Sequence, residues 1–310
     1  TAATRRRQPV GFPMLRLKRA PWAATGEARL LRRGSVPGLQ HAPWAATGAV
    51  RPLATPAPVG STRVVGGANL DWGRLPFNYT QTASVVRYEY ENGAWDAGTE
   101  HADPHVKVHL LSHVINFGQS CFEGLKAFHT ADGRIVVFNP ACNARRLQSS
   151  ARRLALPEVP EDVFLEAVER AVRANIEYLP PYGSHGAMYV RPVVFGHGAE
   201  MQLRFSGRAT FAVSATPVGP FFPREAGLKP VRALVVTDYD RAATRGTGSY
   251  KVGGNYAPDM IVSERTRERG YDVSLFLDSA TQSYVDVRAL RRSAPRAWQR
   301  CALSLTRPGP

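Results

Sequence analysis

The sequence predicts an α/β (α+β) protein of two domains. Between residues 66 and 286, short runs rich in β-branched residues alternate with amphipathic, helix-like runs, a pattern typical of sheets covered by helices. A segment rich in Pro and Gly, 219–227, interrupts the pattern and is predicted to be a linker. It separates a small N-terminal α/β domain, 66–218, from a partial second domain, 228–286.

Charge divides the chain into three parts. Residues 1–65 hold ten Arg and one Lys against the single acid Glu27, and residues 287–310 hold six Arg and no acid. The part between them carries 23 basic and 24 acidic residues. Because the folded part is neutral, we predict no nucleic-acid partner. A weak nucleic-acid alternative stays open for the basic ends, and steep salt dependence of binding would be its mark.

The leader, 1–65, is of low complexity and is predicted to be disordered. An Arg-rich, acid-poor leader is typical of a mitochondrial or chloroplast transit peptide, so we expect a soluble protein in plastid or mitochondrion after its removal. If the leader is not an address, the protein is expected in the cytoplasm. No run of about 18 apolar residues is present, so no membrane span is predicted.

Cysteine and histidine spacings do not indicate a metal site. The three cysteines lack metal-ligand spacing and cannot all pair, which favours a reducing compartment. Four histidines recur every four residues, at His101, His105, His109 and His113. On a helix they would share one face, but Pro104 and the β-rich surroundings argue against a helix there. We predict no bound metal.

The first domain is predicted to contain both strands and helices. Alternating or continuous β-branched runs predict strands at 84–90, 106–111, 135–138 and 187–195. Asn92-Gly93 after the first strand is a hairpin-turn signal. Helices are predicted at 143–154 and 160–175, and the second has an apolar stripe with acids near its start and arginines near its end.

The second domain begins with a predicted strand, 231–237, and a predicted helix, 257–269. A strand over 273–278 and a hairpin into 283–286 follow. The connection between the first strand and the helix contains Lys251 and is rich in glycine.

Lys251 can be interpreted in two ways. Glycines permit unusual backbone dihedrals and close approach of a ligand, and a desolvated lysine can form a Schiff base with a carbonyl. The alternative is a flexible surface loop with a solvated lysine. A phosphate-binding Walker loop is excluded because Val252, and not Ser or Thr, follows the lysine. The glycine spacing does not fit the dinucleotide-binding fingerprint.

The segment 241–256, with its Arg-Ala, Gly-x-Gly and Lys-x-Gly-Gly-Asn-Tyr, resembles the cofactor lysine segment of the branched-chain aminotransferases, which are fold-type IV pyridoxal-phosphate enzymes. The family's Tyr-Gly-x-x-x-Phe-Glu-Gly-x-Lys-Ala motif is matched at 117–127, with Phe in place of Tyr at 117. Other segments match in the family's order, at 143–154, 187–192 and 211–220. The resemblance covers about 68–286 and implies a two-domain fold-type IV aminotransferase.

The resemblance implies that the cofactor is pyridoxal 5'-phosphate and that three residues bind it. Lys251 would be the catalytic residue, attaching the cofactor and moving a proton. Arg146 would grip its phosphate, for which a guanidinium offers a fork of donors that never loses its charge. Tyr256 would hydrogen-bond the phenolic oxygen of the ring.

Three further residues are implied to bind the substrate. Phe122 would line the pocket for an aliphatic side chain, and Tyr189 would help to hold the substrate carboxylate. Arg191 would order the pocket and accept the second carboxylate of glutamate. The implied partners are therefore small molecules, namely amino acids and 2-oxo acids, and the full-length protein is implied to be a homodimer.

The implied function is transfer of the amino group of leucine, isoleucine or valine to 2-oxoglutarate. Two alternatives share the fold, a D-amino-acid aminotransferase and an aminodeoxychorismate lyase; a third is a non-catalytic fragment. The resemblance stops after Asp286, where the family has an acid that pairs with the pyridine nitrogen and this chain has Val287. A truncation, a frame error or a retained intron would each produce this, and we expect the chain as written not to transaminate.

Overall fold

The computed structural model of the protein describes residues 50–52, 64–220 and 230–288. Most of the predicted leader, most of the predicted linker and the tail beyond residue 288 lie outside these ranges. In the described part of the chain, no helix has the length and apolar composition that a membrane crossing needs.

The larger sheet contains nine of the described strands, and every pairing in it is antiparallel. The strands are β1 (Val50–Pro52), β2 (Val85–Glu91), β3 (Ala94–Trp95), β4 (Thr99–His101), β5 (Ser120–Phe122), β6 (Leu125–His129), β7 (Ile135–Phe138), β8 (Ala187–Gly196) and β9 (Ala209–Val218). Their order is β1-β7-β6-β8-β9-β2-β3, with β4 paired to β2 and β5 to β8.

The core lies between this sheet and two helices, α2 (Pro140–Arg153) and α3 (Glu161–Ala174). A shorter helix, α1 (His113–Asn116), precedes β5. The predicted apolar stripe of α3 is buried, and the ring of Phe164 stacks on that of Phe211 in β9 with centroids 6.1 Å apart. Burial of this face holds α3 against the larger sheet, because removing apolar area from water is the main favourable contribution to folding.

The smaller sheet contains β10 (Ala233–Val236), β11 (Val273–Leu277) and β12 (Val285–Arg288). β10 and β11 are parallel and are joined through α4 (Asp259–Glu268), whereas β12 pairs with β11 antiparallel. β12 continues two residues past Asp286, because Val287 pairs with Phe276 and Arg288 with Leu275. Residues 221–229, between the two sheets, are outside the described ranges, and the division into two domains stays a prediction.

Most predicted elements are present, with ends that differ by a few residues. The hairpin turn is confirmed, since Asn92 and Gly93 have φ of 53° and 88° and directly connect β2 to β3.

The predicted strand at 106–111 is wrong. The chain leaves the sheet after β4, and the guanidinium of Arg87 donates to the carbonyl oxygens of Asp103 and His105. These bonds anchor the backbone just before the segment, and Leu110 within it is 75% exposed.

Candidate active site

Lys251 lies in the connection that follows β10, and it is not a solvated surface lysine. Only 9% of the residue is exposed. Its backbone N–H donates to the Ser150 hydroxyl of α2 at 2.9 Å, and its carbonyl accepts from the N–H of Phe122 at 3.1 Å. The neighbouring Val252 forms a β-bridge with Cys121 of β5. The lysine is therefore held against the larger sheet by its main chain.

A second set of bonds keeps the glycine-rich connection in shape. The buried amide of Asn255 donates to the carbonyl oxygens of Thr247 and Tyr250, at 2.7 and 2.8 Å. The Thr247 hydroxyl donates back to the Asn255 side-chain oxygen at 2.7 Å. One side chain thus ties together both ends of the turn that contains Lys251. Gly253 lies close to β5, since a Cβ there would be 2.7 Å from the Ser120 hydroxyl, which would have to shift.

The amine of Lys251 lies against two aromatic rings, one of which is a phenol. Its Nζ donates to the Tyr256 hydroxyl at 3.0 Å and lies 4.2 Å from the centroid of the Phe122 ring. The two rings are themselves in contact, with centroids 5.1 Å apart. Contact between a cation and ring faces is favourable.

Arg191 also contacts the ring of Phe122. Its guanidinium carbon is 4.8 Å from the centroid of that ring, and its Nη2 donates to the Tyr189 hydroxyl at 2.9 Å. The two residues are two positions apart on β8, so they project from the same face of the sheet. The Nε of Arg191 is buried and has no hydrogen-bond partner among the described residues. A buried N–H without an acceptor is costly and is suited to an anionic ligand.

Arg146 of α2 is anchored by the residue after Phe122. Its Nε and Nη2 donate to the two carboxylate oxygens of Glu123, at 2.5 and 2.6 Å. Those hydrogen bonds and the negative charge of Glu123 raise the pKa of the guanidinium, and the nearby Tyr256 phenol adds to the increase. Glu123 is fully buried, whereas the Arg146 side chain is 52% exposed.

All six residues predicted from the sequence thus meet in one place. Five of them form one connected set. Lys251, Tyr256 and Phe122 contact one another, and Arg191 contacts both Phe122 and Tyr189. Arg146 joins them through Glu123, which follows Phe122 in the chain. Their individual roles stay predictions.

Three positions of the site, Glu123, Asn143 and Ser150, were missed at the level of the sequence. Glu123 stands in a run of apolar and small residues, where a carboxylate requires a partner. Asn143, Arg146 and Ser150 are spaced by three and four residues, which puts them on one face of a helix. Together these signals indicate a helix face that binds the two segments containing Glu123 and Lys251.

Comparison with known proteins shows the family of the chain. Residues 120–284 match the family model of the class IV amino-transferases. The chain is 41% identical over 227 residues to transaminase htyB of Aspergillus rugulosus, covering 71% of this chain and 60% of that protein. It is 38% identical over 219 residues to a branched-chain-amino-acid aminotransferase of Helicobacter pylori (strain J99), covering 70% and 64%. The chain spans about 60% of the length of these relatives.

Two solved structures share the fold. The T.th. branched-chain amino acid aminotransferase with pyridoxamine 5'-phosphate aligns with a TM-score of 0.50 at 25% identity, over 65% of this chain and 62% of that one. The branched-chain aminotransferase of Thermoproteus uzoniensis with norvaline aligns with a TM-score of 0.50 at 26% identity, over the same 65% and 62%.

Proposed function

The chain belongs to the class IV aminotransferases, the fold-type IV pyridoxal-phosphate enzymes, and we propose that the protein transfers the amino group of leucine, isoleucine or valine to 2-oxoglutarate. The observation that carries the proposal is the buried amine of Lys251, held 3.0 Å from the Tyr256 hydroxyl and over the Phe122 ring. The chain spans about 60% of the length of its relatives. The activity is therefore proposed for the whole protein and not for this chain alone.

The residues present fit pyridoxal 5'-phosphate. The amine of Lys251 suits the aldehyde of the cofactor. The phenol of Tyr256 suits its ring hydroxyl, and the guanidinium of Arg146 suits its phosphate. The Arg146 fork retains N–H donors beyond the two that Glu123 accepts, and forked donors bind phosphate oxygens well. The cofactor, when bound, supplies the electron sink for the reaction.

Lys251 then has two tasks. It attaches the cofactor, and its amine carries the proton that leaves the substrate Cα. Proton transfer by a positioned group contributes about 10²–10⁴-fold to rate. The Tyr256 hydroxyl, which accepts from Nζ at 3.0 Å, orients the amine.

The proposed substrate pocket combines apolar and cationic surface. Phe122 offers a ring to an aliphatic side chain, as in leucine. Arg191, whose buried Nε lacks an acceptor among the described residues, offers a donor to the second carboxylate of 2-oxoglutarate. The Tyr189 hydroxyl, 2.9 Å from Arg191, is proposed to contact the substrate carboxylate. One pocket can therefore accept both substrates in turn.

Spectroscopic titration tests the proposal without requiring turnover. Pyridoxal phosphate is added to the 310-residue chain and to Lys251→Ala, and protein-bound visible absorbance is followed. We expect a saturable band in the wild type that is absent in the variant, and a further change with L-leucine but not with D-leucine. A response to D-leucine alone would favour the D-amino-acid aminotransferase, and no Lys251-dependent band would contradict the proposal.

Three finer expectations stay proposals. The protein is proposed to form a homodimer and to have an organelle-targeting leader over 1–65, most of which lies outside the described residues. The absence of turnover by this chain alone also stays a prediction. Lys251-dependent formation of glutamate from leucine and 2-oxoglutarate by the purified chain would contradict it.

A further inference from the structure

Glu123 is a fully buried carboxylate between β5 and β6. Its Oε1 accepts from Arg146 Nε at 2.5 Å, and its Oε2 accepts from Arg146 Nη2 at 2.6 Å and from the Asn143 amide at 2.7 Å. The N–H of Gly124 donates to Oε2 at 3.3 Å. The main-chain N–H of Glu123 donates to the carbonyl oxygen of Pro192 in β8 at 2.8 Å. The carboxylate is fixed by the backbone on one side and by α2 on the other.

Stability alone does not account for this buried charge. Removing a carboxylate from water is costly even when it is paired, and a well-packed apolar residue often serves stability as well or better. Glu123 is fully buried, but the side chain of its partner Arg146 is 52% exposed. The interior side of the pair is therefore the carboxylate, and the accessible side is the guanidinium.

The geometry of the pair restricts the guanidinium to one orientation. A guanidinium has five N–H donors in a planar fork. The Nε–H and one Nη2–H are used by the two oxygens of Glu123, and two parallel bonds fix both the position and the plane of the fork. The N–H donors of Nη1 and the second of Nη2 are left at its far end. They lie on the side away from the buried carboxylate.

We propose that Glu123 is a positioning residue, which acts through Arg146 by presenting the far end of the guanidinium fork to the phosphate of the cofactor. This inference rests on the proposed function. Without Glu123, Arg146 would be a half-exposed side chain with many rotamers, and ordering it would oppose phosphate binding. The raised pKa of Arg146 is consistent with a partner that holds the charged form in place.

The direction in which phosphate affinity changes when Glu123 is neutralised distinguishes a positioning role from a simple effect of charge. Glu123 adds a negative charge close to where the phosphate would bind, so its neutralisation should strengthen phosphate binding if charge alone mattered. If positioning dominates, neutralisation weakens binding. Loss of an outer partner that orients a ligand-binding side chain weakens binding about 10–100-fold at metal sites, and we expect about tenfold here.

The experiment compares two ligands that differ only in the phosphate. Dissociation constants of pyridoxal phosphate and pyridoxal are measured by absorbance titration for the 310-residue chain, Glu123→Gln, Arg146→Ala and the double variant. We expect Glu123→Gln to weaken pyridoxal phosphate about tenfold while pyridoxal is unchanged. The double variant should bind pyridoxal phosphate no more weakly than Arg146→Ala alone. Unchanged or tighter binding of pyridoxal phosphate, or equal weakening of both ligands, would overturn the inference.

A matched control uses another ion pair of the same helix. Arg152 of α2 pairs with Glu158 at 2.5 Å on the exposed surface, so Glu158→Gln removes the same charge without touching Arg146. It should leave both dissociation constants unchanged. If circular dichroism shows that Glu123→Gln is unfolded, Glu123→Asp replaces it. That variant keeps the charge, withdraws the carboxylate by one methylene, and should also weaken only pyridoxal phosphate.

Failure of this inference is distinguishable from failure of the proposed function. A wild-type chain that does not prefer pyridoxal phosphate to pyridoxal would remove the basis of both. A wild-type preference that survives unchanged in Glu123→Gln and Glu123→Asp would overturn the positioning role alone.

Discussion

The hydrogen bond from the Lys251 backbone to Ser150 is the most direct tie between the lysine connection and α2. Ser150 is fully buried, and its hydroxyl accepts the Lys251 N–H at 2.9 Å. Ser150→Ala removes the acceptor and little else, since it deletes one oxygen. The main-chain N–H of Lys251 would then be buried without a partner, unless the connection moves.

The size of the effect follows from that lost acceptor. Leaving a buried donor unsatisfied costs about 1–3 kcal/mol, so the free energy of unfolding should fall by about that amount. If the connection moves to recover the bond with water, the loss is smaller. In that case Lys251 is displaced from the rings of Phe122 and Tyr256, and cofactor attachment weakens. Either response shows that Ser150 holds the lysine.

Urea unfolding of the 310-residue chain measures the change, with cofactor titration in parallel. Ser149→Ala is the matched control, because the neighbouring hydroxyl is half-buried on the same helix, and we expect a change within about 0.5 kcal/mol. If Ser150→Ala matches Ser149→Ala in both unfolding and cofactor affinity, the main-chain tie has no energetic role and the reasoning is wrong.

Three other predictions address separate features. Tyr256→Phe keeps the ring but removes the hydroxyl that lies 3.0 Å from Lys251 Nζ; we expect weaker binding of pyridoxal phosphate with an unchanged unfolding midpoint, and an unchanged affinity would contradict the contact. Burial raises the pKa of Asp259 from 3.8 to about 6; because the folded state then holds this proton more tightly, the contribution of Asp259 to the free energy of unfolding should decrease as pH rises from 3.8 to about 6. Asp259→Asn should remove that decrease in urea titrations at several pH values, and an identical pH profile would refute it. A fluorescent reporter fused to residues 1–65 should enter plastid or mitochondrion, and a diffuse cytosolic signal would contradict the leader assignment.

Local sequence patterns were sufficient to predict the elements that are determined by adjacent residues. The stripe of α3 and the Asn92-Gly93 turn each follow from a few adjacent residues, and both are present. The segment 106–111 has the composition of a strand, but a strand also needs a partner. Arg87, about twenty residues earlier in the chain, bonds the backbone just before this segment instead, and no periodicity in 106–111 reports that contact.

The candidate site likewise contains residues that the sequence predicts and residues that only the folded structure reveals. Lys251, Arg146 and the other predicted positions were found because their motifs resemble those of a known family. Glu123 and Ser150 were missed because what distinguishes them is a contact across the fold. Ser150 is 101 positions from Lys251, and Glu123 is 23 positions from Arg146. Only the packing of α2 against β5 and the lysine connection brings these residues together.

Borohydride trapping tests the central claim, that Lys251 is the residue to which the cofactor attaches. The 310-residue chain is incubated with pyridoxal phosphate, reduced, digested and mapped by mass spectrometry. We predict a single labelled peptide that contains Lys251, and no label there in Lys251→Ala. A label on Lys229 or Lys126 in its place, with Lys251 unmodified, would contradict it.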